Sequence, residues 1–447
     1  MKTLNLKSKD IVSAMRFDGS YHISEGTIFL KKLKRMPHAD LISFCPNIFT
    51  AGRNKRVYTD KEKGFPYLSN SDVVKNNPFE SCNYNSKKYG FDKTAFLKEG
   101  MILTGRVGAI GQTSYVTKEF EENQAMGSDN IIRIVAKDKK MSGYIYAFLV
   151  SKYGNALFNR LAAGGVQPYI SEAMLQDIPI PILPEEFQQK IHNLIVESAR
   201  LRVEANKLLK EAQEKIVNEL NIKVQKQSYI TKISELTNSH QKRFEAFAFK
   251  SIGSDFRKQI EKLPHHKLKD FSERIFRPGI FKRNYVAEGV DFLGGSDITS
   301  AIPASDKKLS KARTLNFDDL TLKEDWILVT CGGTIGTTVL VNNFLSQKLA
   351  SQHILRIIPK DIPTGYLFAF LNSEIGLKVI QSFMYGSVIQ QIEPHHLELV
   401  PIPLLSEDLM NSAHDNVMRY KDNMNSAINM ELEAIDLIEK EIDQWQQ

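Results

Sequence analysis

The chain has 447 residues, of which 42% are hydrophobic and 25% charged, the proportions of an ordinary folded protein rather than a disordered or fibrous one. This length suffices for two or three domains, each with its own core. The formal net charge of +7 suits a polyanionic partner such as nucleic acid but does not require one.

Several classes of protein are excluded by simple features. The three cysteines, Cys45, Cys82 and Cys331, form no CxxC pair, so the sequence predicts neither a disulfide framework nor a zinc module. The first residues lack the apolar core of a signal peptide, and no stretch approaches the roughly 18 apolar residues of a membrane span. We therefore expect a soluble, cytoplasmic protein without membrane contact.

The first elements predicted along the chain are those of a mixed domain. Short apolar runs at 101–104 and 131–135, bounded by glycine or charged residues, predict strands. The Gly108-x-x-Gly111 step between them predicts a turn in which the backbone passes closely or takes positive φ. Helical spacing and aromatic content from Gly143 to Asn159 predict a helix packed on the sheet.

A long helix is predicted next. Pro184 followed by Glu185 and Glu186 favours a helix start, because proline tolerates the first turn and acidic groups suit the positive end of the dipole. Running to about Asn221, the helix would be roughly 55 Å long at 1.5 Å per residue. Residues at spacings of four and three form a predicted coiled-coil seam: Phe187, Ile191, Leu194, Ser198, Leu201, Ala205, Leu208 and Ala212.

The second half repeats the first. Blocks recur in the same order, with an offset that falls only from 227 to 222. The matching blocks are 16–18 with 243–245, 67–72 with 292–297, 102–111 with 327–336, 131–134 with 354–357, 143–149 with 365–371, and 178–181 with 400–403. The chain is therefore an internal duplication.

The second copy predicts the same elements. Gly333-x-x-Gly336 is its turn, residues 365–383 are its helix, and a second long helix follows Leu405. The seam of that helix is predicted at Met410, Ala413, Val417, Tyr420, Met424, Ala427, Ala434 and Ile438.

These elements predict an α+β fold of two tandem mixed α/β domains separated by two long antiparallel coiled-coil helices, with pseudo-twofold symmetry. The predicted boundaries are 1–184 for the first domain, 185–222 for the first helix, 223–404 for the second domain and 405–447 for the second helix. The alternative is that each apolar stripe is only a buried face inside one domain.

Motifs for catalysis are not evident. There is no GxxxxGK[ST] loop, and the glycines from Gly105 to Gly111 have the wrong spacing for a dinucleotide site, so we interpret them as a turn. Asn76-Asn77-Pro78-Phe79 is interpreted as a polar loop rather than a methyltransferase motif. Paired histidines on a loop are usually solvated, which we expect of His265-His266 and His395-His396. Metal-like partners are lacking for these four and for His38 and His192. We predict no catalytic or metal site.

Basic residues, interleaved with aromatic ones, cluster where the copies agree least, and they are the candidate DNA contacts. In the first copy they are Lys31, Lys32, Lys34, Arg35, Arg53, Lys55, Arg56, Lys87 and Lys88. In the second they are Arg274, Arg277, Lys282, Arg283, Lys307, Lys308, Lys311 and Arg313. Similar scaffolds with different basic loops suit a reader of two different sequences. The alternative is a solvated charged face.

The whole chain resembles the specificity subunit of a type I restriction-modification system, with two target-recognition domains. The resemblance lies in the Arg-Phe openings, the Gly-x-x-Gly turns, the segment 166–170 and the Ile-Pro-x-Pro exits, the first followed by the Glu-Glu-Phe-Gln-Gln-Lys-Ile run from Glu185. The second copy departs from the family pattern at Glu393-Pro394, and its long helix lacks this run.

The resemblance implies that each domain reads one half of a split site in double-stranded DNA and that the helices set the spacing. It implies that the helices and the domains dock two methyltransferase subunits. The residues assigned to the partner-docking or spacer helices are Phe187, Ile191, Leu194, Leu201, Leu208, Val417, Tyr420 and Met424. Those partners would methylate adenine N6 with S-adenosylmethionine, and restriction subunits would supply ATP- and Mg-dependent cleavage. No cofactor is expected on this chain.

Two alternatives stay open. The chain could serve a type IIB-like system, in which the same reader works with a fused nuclease-methyltransferase. It could also be a stand-alone duplicated DNA-binding regulator, although no helix-turn-helix signature is visible.

Overall fold

The computed structural model describes residues 7–8, 11–12, 17, 19–53, 55–89, 92–108, 110–162, 168–224, 233–238, 251–386 and 388–445. The chain divides into two compact units, unit 1 with Met1–Val203 and Ser426–Gln447, and unit 2 with Glu204–Asn425. Predictions at Arg16, Asp18, Val166, Gln167 and residues 243–245 lie outside the described residues.

The strands of unit 1 form three sheets. They are β1 His38–Asp40, β2 Asn47–Thr50, β3 Gly64–Leu68, β4 Asn83–Ser86, β5 Ile102–Gly105, β6 Thr113–Tyr115, β7 Met126–Gly127, β8 Ile131–Val135 and β9 Pro179–Pro181. The main sheet has the order β2-β8-β5-β6 and is antiparallel. A small sheet, β4-β3-β7, pairs β3 with β7 in parallel, and β1 pairs with β9. The strands predicted at 101–104 and 131–135 are thus confirmed, the first shifted by one residue.

The main sheet buries both faces, because successive side chains of a strand point to opposite sides. Ile132 and Ile134 contribute to the core under the helices. Ile131 belongs to a second core with Leu68 of the small sheet. Arg133, on the same face of the strand as Ile131, is fully buried. This places a guanidinium inside the unit.

The helices of unit 1 are α1 Gly19–His22, α2 Glu25–Leu33, α3 Leu41–Phe44, α4 Asn70–Val73, α5 Lys118–Glu122, α6 Ser142–Val150, α7 Lys152–Leu161 and α8 Glu172–Gln176. The single helix predicted from Gly143 to Asn159 is wrong, since α6 and α7 are separate. Ser151 takes extended backbone angles and its hydroxyl accepts the Gly154 N–H, so it is the N-cap of a new helix.

Unit 2 repeats this arrangement. Its strands are β10 His265–Lys267, β11 Ser272–Phe276, β12 Tyr285–Val286, β13 Val290–Leu293, β14 Lys308–Leu309, β15 Ile327–Thr330, β16 Thr338–Leu340, β17 Leu349–Ala350, β18 Ile354–Pro359 and β19 Pro401–Pro403. The main sheet is β11-β18-β15-β16, and the small sheet, β12-β14-β13-β17, has the same parallel pairing, here of β13 with β17. Each unit therefore mixes helices and strands, and the two main sheets have the same topology, whereas the small sheet of unit 2 has one strand more.

The described helices of the rest of the chain are α9 Glu185–Leu220, α10 Ile233–Asn238, α11 Ile252–Ile260, α12 Phe317–Leu320, α13 Thr364–Asn372, α14 Glu374–Gln381, α15 Pro394–Leu397 and α16 Glu407–Gln444. Two of them, α9 and α16, are long. As in unit 1, the predicted helix 365–383 is two helices, because Ser373 caps α14. None of the helices in the described part of the chain is long and apolar enough to cross a membrane.

Each unit takes one half of each long helix, and the halves run antiparallel. In unit 1 the Ser198 hydroxyl donates to Ala427 O at 2.8 Å, and Lys190 lies 3.8 Å from the Glu433 carboxylate. In unit 2 Arg419 lies 3.9 Å from the Glu204 carboxylate, and Lys215 donates to the Ser412 hydroxyl at 2.8 Å. As the residue number rises along α9, the number of the contacting residue in α16 falls, so the two helices run antiparallel within each unit.

Candidate nucleic-acid interface

The basic residues from Lys31 to Arg35 lie apart from the other candidates of unit 1. They occupy the end of α2, where Lys31, Lys34 and Arg35 are exposed. The Lys32 ammonium donates to Asp443 O at 3.2 Å and lies 3.9 Å from its carboxylate. Lys32 therefore holds the end of α16 within unit 1.

The other basic residues of the first copy surround the small sheet of unit 1. The Lys87 ammonium lies 5.1 Å from the ring centre of Phe65, and the Lys55 ammonium lies 5.7 Å from that of Tyr89. Lys88 and Arg53 are exposed beside them. Cations held near aromatic faces gain electrostatic attraction from the ring quadrupole. The sheet thus presents a set of cations to solvent.

Arg56 is the most constrained of these exposed cations. One of its terminal nitrogens donates to Asp129 Oδ1 at 2.9 Å, and its guanidinium carbon lies 5.8 Å from the ring centre of Tyr67. Its side chain is nevertheless 47% exposed. Arg53 also reaches Asp129, but at 3.6 Å and with 93% of its side chain exposed. Arg56 is therefore oriented by two contacts, whereas Arg53 is held loosely.

The loop that carries Asp129 is fixed from below by Arg133. The Arg133 guanidinium donates to Ser128 O at 2.9 Å and to Gly127 O at 2.5 Å. Further bonds run to Ile131 O at 2.6 Å and Ala95 O at 3.3 Å. Burial lowers the pKa of Arg133 to about 10, so the group stays charged at neutral pH. A buried arginine below the loop thus positions the acceptor for an exposed arginine above it.

Unit 2 has the same arrangement of an exposed arginine above a loop and a buried arginine below it. Arg283 donates to Gln352 Oε1 at 3.0 Å, and its guanidinium carbon lies 5.4 Å from the ring centre of Phe292. Below the loop, Arg356 donates to Ser351 O at 2.9 Å and to Ala350 O at 2.5 Å. Burial lowers the pKa of Arg356 to about 9.

Two other arginines of unit 2 make internal contacts. Arg277 donates to Gln352 O at 2.8 Å and to the Glu393 carboxylate at 2.6 Å, so it joins β11 to the start of α15. Arg274 stacks on Phe276, with its guanidinium carbon 4.0 Å from the ring centre.

The remaining basic residues predicted for unit 2 lie on or near its small sheet. Lys308 is half-buried in β14, and the exposed members are Lys282, Lys307, Lys311 and Arg313.

The interpretation of the paired histidines as solvated is wrong at His396, and two histidines of the long helices are hydrogen-bonded as well. The half-buried His192 accepts the Gly143 N–H through Nδ1 at 3.1 Å, and His414 accepts the Gly365 N–H at 3.0 Å, so each long helix is joined to a domain helix. His396 is buried and accepts the Glu393 N–H. Burial lowers the pKa of His192. Among the described residues, no cluster of three or more His, Cys, Asp or Glu side chains could hold a metal ion.

The glycine turns and the Asn-Pro segment have structural roles. Gly108 and Gly111 take φ of 82° and 83°, and Gly333 and Gly336 take 72° and 89°, which confirms the predicted positive φ. Asn77 Oδ1 accepts the Phe79 N–H at 3.1 Å. The Asn-Pro segment therefore forms an Asx turn, which is a local structural role.

The predicted helix-docking residues differ in burial. Ile191, Leu201, Leu208, Val417 and Met424 are buried, whereas Phe187, Leu194 and Tyr420 are partly exposed. Polar groups are also buried near the seam in unit 1, where Arg202 donates to Glu431 at 2.7 Å and Tyr146 donates to it at 2.5 Å. No pattern of apolar spacing could have predicted that network.

One relationship between the copies was missed in the sequence. Arg56-x-Tyr58 and Arg283-x-Tyr285 are 227 residues apart, the same offset as the opening Arg-Phe pair. They end a segment in which Ile48-Phe49, Gly52 and Lys55 also match Ile275-Phe276, Gly279 and Lys282. Comparing that region at the offset of the opening pair would have found them.

Two equivalent mixed units, each presenting arginine and aromatic side chains, are typical of a duplicated recognition protein. A profile of the type I restriction modification DNA specificity domain matches residues 47–213 and 264–408. Because these segments cover more than half of the chain, the protein belongs to that family.

Solved structures give weaker similarity over most of the chain. The type I restriction-modification S subunit from M. genitalium is 14% identical, with a TM-score of 0.35 over 91% of this chain and 94% of that one. The HsdS subunit from Thermoanaerobacter tengcongensis is 12% identical, with a TM-score of 0.26 over 91% and 96%. The type IIG restriction endonuclease BpuSI matches 42% of this chain and 30% of its own, at 10% identity and a TM-score of 0.30. Among curated protein sequences there is no significant match. The family assignment rests on the profile.

Proposed function

We propose that the chain is the specificity subunit of a type I restriction-modification complex and that each copy reads one half of a split site in double-stranded DNA. The observation that carries this proposal is that the specificity-domain profile matches twice, once in each copy. Two equivalent units with different exposed basic loops suit two half-sites that share a geometry but differ in sequence.

In this proposal the domains are 1–184 and 223–404, and the helices 185–222 and 405–447 form an antiparallel coiled coil with pseudo-twofold symmetry that sets the distance between half-sites. The antiparallel contacts within each unit support it. Two methyltransferase subunits would dock on equivalent surfaces, because an internal duplication offers each surface twice.

The chemistry belongs to the partners. S-adenosylmethionine would serve adenine N6 methylation on the methyltransferase subunits, and ATP and Mg would serve cleavage on the restriction subunits. This chain would work in the cytoplasm and contribute DNA reading alone.

The test is genome-wide mapping of N6-methyladenine in cells with and without the gene. Methylation of one two-part motif should disappear on deletion and return with the restored gene. An unchanged methylation map would refute the proposal. The native mass of the purified complex should correspond to two methyltransferase subunits per chain, and one per chain would contradict the docking scheme.

A further inference from the structure

The Arg-x-Tyr element is present in both copies, as Arg56-x-Tyr58 and Arg283-x-Tyr285. The element ends a longer match: at the offset of 227, Ile48-Phe49, Gly52 and Lys55 correspond to Ile275-Phe276, Gly279 and Lys282, whereas Arg53 corresponds to Ile280. A segment that both copies retain and that ends in the same arginine and tyrosine indicates one task that both units perform.

The element is exposed in each unit. Tyr58 is 53% exposed and Tyr285 is 48% exposed. Arg56 lies among the cations of the small sheet, because the neighbouring Val57 O accepts the Ser86 N–H at 2.9 Å, one residue before Lys87. In unit 2 Tyr285 pairs with Leu309, which follows Lys308. The arginine therefore lies where a polyanion would be attracted.

The arginine is also oriented, and this distinguishes it from a loose phosphate contact. Its terminal nitrogen is held by Asp129 in unit 1 and by Gln352 in unit 2. Those acceptors lie on loops fixed by the buried guanidinium groups of Arg133 and Arg356. A planar guanidinium fixed in this way loses little conformational freedom when it donates two parallel hydrogen bonds.

The complementary ligand is the major-groove edge of guanine. Guanine presents two acceptors there, O6 and N7, and a pair of bonds from arginine is the commonest specific contact of that kind. A phosphate can be bound by point charges alone, which the exposed lysines and Arg53 supply.

We propose that Arg56 and Arg283 are equivalent specificity-determining residues, each donating a pair of hydrogen bonds to one guanine in the half-site of its own unit. This inference rests on the proposed DNA-reading function. The acceptors Asp129 and Gln352 are positioning residues, which orient the arginine and do not themselves contact the base.

The experiment selects bound sequences from a random duplex DNA library. The tagged full-length chain is purified from its native cells with its bound partners, and wild type is compared with Arg56→Ala, Arg56→Lys and Arg283→Ala. Wild type should enrich two separated blocks. Arg56→Ala should lose the preference for guanine at one position of one block, with a discrimination change of about 5- to 150-fold. Arg283→Ala should do the same in the other block.

The Arg56→Lys variant distinguishes base reading from charge, because lysine keeps the positive charge but cannot donate two parallel hydrogen bonds from one planar group. Arg56→Lys should retain the salt dependence of binding and still lose the guanine preference. Arg53→Ala is the matched control, because Arg53 approaches the same carboxylate while almost fully exposed. It should weaken binding to all sequences and leave both blocks intact. Unfolding temperatures of all variants verify that each is folded.

The outcomes distinguish this inference from the proposed function. If wild type enriches two blocks and folded Arg56→Ala retains both, the inference is wrong and the proposed function stands. If Arg56→Lys keeps the guanine preference, the contact is one of charge, which also overturns the inference. If wild type enriches no sequence, the proposed function itself fails.

Discussion

Replacing Arg133 with methionine removes a buried charge and the bonds that hold the Asp129 loop. The side chain is fully buried, and its partners are backbone carbonyls rather than a carboxylate. Four carbonyl oxygens lose a donor, those of Ala95, Gly127, Ser128 and Ile131, although Ser128 O still accepts the Ile131 N–H at 3.2 Å.

Two opposing effects set the magnitude. A hydrogen bond from a charged donor contributes about 1.5 kcal/mol or more, so losing four costs about 6 kcal/mol. The cost of burying the charge offsets part of this contribution, because burial lowers the pKa of Arg133 from 12.5 to about 10. At 1.36 kcal/mol per pKa unit, methionine is spared about 3 kcal/mol of desolvation. The expected loss in the free energy of unfolding is therefore about 3 kcal/mol.

Thermal unfolding of the full chain measures this loss. For a unit of about 200 residues, 3 kcal/mol corresponds to roughly 6–12 °C. Arg200→Met is the control, because Arg200 is an exposed helix residue paired with Glu197 and should change stability by less than about 0.5 kcal/mol. Unfolding of Arg133→Met within 1 °C of wild type, by an assay resolving about 1 °C, would show that the carbonyls find other donors and that Arg133 does not hold the loop.

Two further predictions concern unit 1. His192 must be neutral at Nδ1 to accept the Gly143 N–H, and burial lowers its pKa below 6.5, so its stabilising effect is complete above that pH and is lost as pH falls through the folded-state pKa. Urea unfolding from about pH 7.5 to about pH 5.5 should show wild type losing stability relative to His192→Gln, and parallel pH curves would contradict this. A Cβ on Gly26 would lie 2.2 Å from Ala156 O, so Gly26→Ala should cost about 1–3 kcal/mol or more in thermal unfolding. Gly19→Ala, which meets nothing within 4 Å, should be neutral, and equal effects of the two changes would refute the steric explanation.

Local patterns in the sequence predict the elements that depend on neighbouring residues. The strand 131–135 and the positive φ of Gly108 depend on short-range sterics and patterning, and both are confirmed. The division of the helix at Ser151 was missed because the apolar pattern continues across it, while the serine cap is satisfied only in three dimensions. The parallel pairing of Tyr67 with Met126 joins residues far apart in the chain, which no local pattern reveals.

The candidate site was predicted only as a set of basic residues. The sequence shows that Arg56 and Lys87 are basic. It does not show whether a guanidinium is exposed and oriented, as that of Arg56 is, or bonded within the protein, as that of Arg277 is with Glu393. That distinction depends on tertiary acceptors. Asp129 and Gln352 are chemically different, so their equivalent positions become evident only when the buried arginines four residues later are aligned.

The division of the long helices between the units has a consequence for synthesis of the chain. The core of unit 1 includes Ala434, Ile438 and Ile442 alongside Ile191 and Ile195. A ribosome that has completed Val203 must add residues 204–425 before it reaches the helix that closes this core. At about 5–20 residues per second, that interval is roughly 10–45 s. Throughout that time the nascent amino-terminal unit lacks the helix that closes its core, so we expect its apolar surface to attract chaperones that bind ribosome-associated chains.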